Sequence, residues 1–71
     1  MSYYKHQMMI RSIIRNKWIP AINAGAEVTV NMILYDLDNS KFEYSKKAVI
    51  EYIERFCEIE NFQFDGVMIK K

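Results

Sequence analysis

Apolar residues Ile10, Ile13, Ile14 and Trp18 recur at three- and four-residue spacing, with Tyr3 on the side of Ile10, and predict a helix over residues 3–18. Met8 and Met9 spread apolar surface around that cylinder, and His6 and Lys17 fall close to its buried side. Pro20 ends the helix in this reading, because proline lacks an N–H and pushes the preceding Ile19 toward extended geometry. Residues 19–25 then read as a loop. Over residues 27–35 the period changes to two: Val28, Val30, Met32 and Leu34 share one face, and Thr29, Asn31, Ile33 and Tyr35 the other, which predicts a strand.

Asp36-Leu-Asp-Asn-Ser40 has turn chemistry, since Asp, Asn and Ser side chains bond to their own nearby backbone. Residues 41–44 alternate and read as a return strand; the other reading is a helix opened by a Ser40/Glu43 capping box. Ser45 is placed as the N-cap of a helix over 46–58, where Val49, Ile50, Ile53, Phe56 and Cys57 share one face and Glu51, Glu54 and Glu58 the opposite one. Lys47–Glu51 and Glu51–Arg55 are spaced for ion pairs along that helix. Asn61-Phe-Gln-Phe and Val67-Met-Ile-Lys flank Asp65-Gly66, the signature of a hairpin with a type I′ turn.

The order is helix, two strands, helix, two strands. It predicts a small single α+β domain over residues 1–71, an antiparallel sheet with two helices packed on one face and the strand over 27–35 at its centre. At 71 residues a chain is near the lower limit for a self-sufficient core. Cys57 is the only cysteine and His6 the only histidine, so an internal disulfide is excluded and no His/Cys metal site is expected. A homodimer or an unusually apolar core is the remaining way to brace so small a domain, and 51% hydrophobic and 14% aromatic content fits either. The single cysteine and the lack of a signal-peptide pattern lead to the expectation of a cytoplasmic protein. Pro20 and Gly25 interrupt the least charged stretch, so no membrane span is expected.

Charge is segregated along the chain. Lys5, Arg11, Arg15 and Lys17 give the first 24 residues +4, and six Lys/Arg against nine acids leave the rest at −3. Tyr4, Met8, Arg11 and Arg15 fall in one stripe beside the buried side of the first helix. Two guanidiniums flanked by an aromatic ring and a thioether suit an acidic protein surface or a phosphate backbone. Trp18 is expected to support this stripe from the core or to anchor the contact itself.

Catalytic chemistry finds no constellation. Cys57 lies on an apolar face, no serine sits in a nucleophile elbow, and two glycines 41 residues apart form no phosphate loop. Asp36 and Asp38 lack a third ligand for a calcium loop. The expectation is a non-enzymatic protein-binding module with no cofactor or metal, whose partner-binding residues are Tyr4, Met8, Arg11, Arg15 and Trp18. Its small size and AT-rich-looking composition suggest a regulator or inhibitor of phage or mobile-element type, docking on host DNA or RNA machinery. The alternative is a nucleic-acid binder using the same basic helix.

Overall fold

The computed structural model describes residues 2–71, with side chains from His6 onward. The first helix continues past its expected end. It comprises α1 (Ser2–Ile13), a π-helical turn (Ile14–Trp18) and α2 (Ile19–Asn23) in one rod. Ile10, Ile14, Trp18 and Ile22 are all buried along it, a strict four-residue repeat. Four residues turn an α-helix by about 400°, so three such steps would drift the stripe by roughly 120° around the cylinder. The π turn, in which the Ile19 N–H bonds to the Ile14 carbonyl five residues back, underwinds the rod and returns Trp18 and Ile22 to the core side. The same turn accommodates Pro20. The ring would meet the carbonyl four residues back in an α-helix, and the wide turn displaces that carbonyl. Ile19 therefore stays helical at φ −61°, ψ −46°, where extended geometry was expected.

The larger correction concerns residues 27–35. Only β1 (Val28–Thr29) is extended, and α3 (Val30–Asn39) follows at once. Val30, Ile33, Leu34 and Leu37 are buried, spaced as one helical face, while Met32 and Tyr35 are exposed. Thr29 starts this helix: its Oγ1 accepts from the Met32 N–H at 3.2 Å, and the Met32 sulfur lies 3.4 Å from the Thr29 nitrogen in return. At the other end Lys41 adopts φ +58°, and Phe42 N–H and Lys41 N–H bond back to the Leu37 and Asp38 carbonyls. That is a Schellman closure built on lysine rather than glycine. Residues 42–45 form no strand and no helix.

The fourth helical segment, α4 (Lys46–Glu60), matches expectation, and Ser45 caps it by accepting from the Ala48 N–H. It too ends on a left-handed residue followed by phenylalanine, with Asn61 at φ +63° and Phe62 N–H bonded to the Cys57 carbonyl. The ion pairs expected along α4 do not close; among the described residues the one salt bridge is Lys17–Asp36, at 3.1 Å between α1's π turn and α3.

The last segment is a hairpin, β2 (Gln63–Phe64) and β3 (Met68–Lys70). Its central pair is Gly66-Val67, not Asp65-Gly66, and only Gly66 has positive φ, the sign pattern of a type II′ turn. Asp65 Oδ1 accepts from both Val67 and Met68 N–H groups and fixes the bend. The three-stranded antiparallel sheet runs β1-β3-β2, so β3 is central rather than any strand near residue 30. Val28 pairs with Ile69 and Ile69 with Phe64, which aligns one apolar row toward the helices. The result is α+β, but a helix stands over most of the first expected strand, the second expected strand at 41–44 is irregular, and the arrangement of two helices on one sheet face does not hold in that form. No helix of the described residues is long and apolar enough to cross a membrane.

Candidate docking surface

The outer side of α1 is positioned by what its inner side buries. With Ile10 and Ile14 in the core, Met8, Arg11 and Arg15 must face out, and all three are exposed. Tyr4 lies outside the residues whose side chains are described. Trp18 is 9% exposed and belongs to the core, so it does not itself present a face. Its ring carries the Lys17 ammonium 4.8 Å from the centroid, and its indole Nε1 is buried without an acceptor among the described residues.

The neighbour of this stripe is α4, which the sequence alone did not place there. His6 Nδ1 accepts from the Glu43 N–H at 3.0 Å, just before α4 begins, and its ring meets Phe42. Further along, the Arg11 guanidinium lies 5.3 Å over the Tyr52 ring and shares a cleft with Glu51 and Arg55. His6 thus meets residues just before α4 and Arg11 meets Tyr52 in its second turn, so over this stretch the two segments run in the same sense. On α4 the residues beside the seam are Ala48, Tyr52 and Arg55, and helical spacing adds Ile59, 74% exposed, to that row.

Three exposed guanidiniums, from Arg11, Arg15 and Arg55, therefore belong to one helix pair, and none has a carboxylate at salt-bridge distance among the described residues. Exposed apolar groups accompany them: Met8 on α1 and Ile59 on α4. Glu51 and Glu58 project from the outer side of α4, next to the basic rows. The depression beneath, lined by Ile10, Arg11, Tyr44, Val49 and Tyr52, has about 20 Å³, room for roughly one water molecule and not for a metabolite. The open cleft beside it, between Gln7, Arg11, Glu51 and Arg55, has about 210 Å³.

Other titratable groups have structural partners. The Tyr44 hydroxyl donates to Asp38 Oδ1 at 2.7 Å; that bond to a carboxylate, then burial, push its pKa up to about 12. Burial alone pushes the Cys57 thiol up to about 11, which leaves it protonated and unreactive at neutral pH. Two backbone N–H bonds, from Met68 and then Val67, hold the Asp65 carboxyl below its ordinary range. Asp36 pairs with Lys17, so the two aspartates read as turn residues are tied to different neighbours. No three His, Cys, Asp or Glu side chains converge among the described residues. The Tyr44–Asp38 and His6–Glu43 bonds join residues without any shared motif, so no local signal announced them. Comparison with protein-family models, with curated proteins and with solved structures finds no match for this chain.

Proposed function

We propose that this chain is a small non-enzymatic module that docks on another protein through the outer side of α1 where it adjoins α4. The observation that carries this reading is the set of exposed, unpaired guanidiniums on one helix pair, with Met8 and Ile59 open beside them. Arginine, tyrosine and tryptophan dominate protein contacts, and a guanidinium held over a tyrosine ring is preorganised for one. A phosphate backbone fits this surface less well, because Glu51 and Glu58 stand next to the basic rows and would meet phosphate as well. A protein partner can answer both signs. Tyr4 and Trp18 complete the proposed set, Tyr4 by its place in the stripe and Trp18 from within the core. The chain's small size and composition suit a regulator or inhibitor of phage or mobile-element type acting on host DNA or RNA machinery.

The test is affinity capture of tagged protein from lysate with and without nuclease, comparing wild type with Arg11→Glu/Arg15→Glu. A discrete protein retained after nuclease and lost in the variant is the expected outcome. Recovery of nucleic acid alone would overturn the reading. Binding would then fall with salt by about 0.9 log units per log unit for each phosphate neutralised on duplex DNA.

A further inference from the structure

Polar ties from α1 to the rest of the chain are scarce. Among the described residues a single hydrogen bond leaves α1 for another segment, from the Glu43 N–H to His6 Nδ1 at 3.0 Å. The imidazole also rests on Phe42, with 5.4 Å between ring centroids. Lys17–Asp36 and Lys71–Asn23 hold the rod only beyond α1. Past His6 the next core residue is Ile10, so Gln7 and Met8 lie between the tie and the first buried anchor.

An imidazole that accepts at Nδ1 carries its one proton on Nε2. A second proton can go only to Nδ1, the atom that the Glu43 N–H occupies, and there it sets a donor against a donor. The tied state cannot take up that proton and the untied state can, so acid draws the equilibrium to the untied side. Charge works in the same direction. The segment beside the ring carries exposed Lys41 and Glu43, the first turn of α4 carries exposed Lys46 and Lys47, and Lys5 precedes His6 in the sequence. Asp38, at the end of α3, is bound to the Tyr44 hydroxyl. Among the described residues of these segments, Glu43 is left as the carboxylate that balances an imidazolium, with those lysines against it.

We infer that His6 is a proton-operated latch: neutral, it holds the start of α1 on Phe42 and Glu43; protonated, it releases the turns before Ile10. Release displaces Met8 and also Gln7, which walls the cleft beside Arg11, so the docking surface loses that rim in acid. This consequence rests on the docking reading above; the latch itself does not.

Amide hydrogen exchange of the full chain, followed by NMR at about pH 8 and about pH 5.5, tests it. Histidine as a class changes charge over that interval and carboxylates do not. After correction for intrinsic exchange, protection of the Glu43 amide is expected to fall about tenfold in acid, the worth of one hydrogen bond, and Gln7 and Met8 to lose protection with it. Ile53 in α4 should stay protected. His6→Phe keeps a ring on Phe42 and accepts nothing, so its Glu43 amide should be unprotected at both pH values, as in acidified wild type. Equal protection of Glu43 at both pH values in wild type overturns the inference. So does a fall that His6→Phe repeats in full, which assigns the titration to another group, or a fall shared by Ile53, which reports global unfolding. No partner enters the experiment: a failed latch leaves the docking surface standing, and a failed capture leaves the latch.

Discussion

Asp65 shows how one side chain can hold a turn. Its carboxylate accepts from two successive backbone N–H groups, and those bonds lower its pKa. The unfolded chain therefore binds the proton more tightly, and the stabilisation is present above the ordinary aspartate range, near pH 3.9, and lost as pH falls through the lower folded value. Wild type should unfold at a higher temperature than Asp65→Asn at neutral pH, and the gap should close in acid; a gap independent of pH would refute this role. Cys57 makes the complementary case. Its thiol is buried and its pKa raised to about 11, so a thiol reagent at neutral pH should label it no faster than the protein unfolds. Rapid labelling of the folded protein would contradict that burial. The buried character of Cys57 and the cap role of Ser45 were legible from spacing and residue type. The partners of Asp38 and His6 were not, because those bonds depend on how separate segments pack.

At the scale of elements, residues 28–37 explain the main misreading. Val28, Val30, Met32 and Leu34 alternate, but Val30, Ile33, Leu34 and Leu37 also satisfy the helical period, and Leu37 decides between them. Assigning Leu37 to a turn removed the residue that closes the helical face. Thr29 supplied a cap signal, but β-branched residues on both sides favoured a strand. Pro20 misled in a similar way, since its effect depends on the turn before it. The helix end at Lys41 gives a direct test. A non-glycine residue at φ +58° is strained, so Lys41→Gly should raise stability by about 0.5–1 kcal/mol, read from chemical denaturation. Asn61→Gly should gain less, because asparagine tolerates that region. Equal or negative effects at both sites would argue against the left-handed closure.

On the scale of the whole molecule, the chain has a radius of gyration of 11.5 Å, close to the roughly 11 Å expected for a folded domain of this length. Among the described residues fifteen apolar ones form one core, to which every secondary-structure element except β2 contributes; β2 packs the half-buried Phe64 against it. Charge segregation along the sequence put exposed basic side chains on the first helix, where Arg11, Arg15 and Lys17 are found. It did not announce that the acidic helix lies directly beside it, because that adjacency is created by packing of Arg11 on Tyr52 and His6 on Phe42. The segregated chain thus folds into a surface of mixed sign.

The wide turn at Ile14–Trp18 also holds one residue of slack. Remove one residue there, and the buried stripe keeps its members at spacings of four, three and four, the usual pattern of an α-helix. The cost would fall on Pro20, returned to an ordinary helical interior at about 3 kcal/mol. A one-residue gap between His6 and Met9 leaves that stripe as it is and instead turns the start of the rod by about 100°, carrying His6 away from the Glu43 N–H. Deletion variants at the two places, followed by circular dichroism and thermal unfolding, would separate the cost at Pro20 from the loss of the His6 bond.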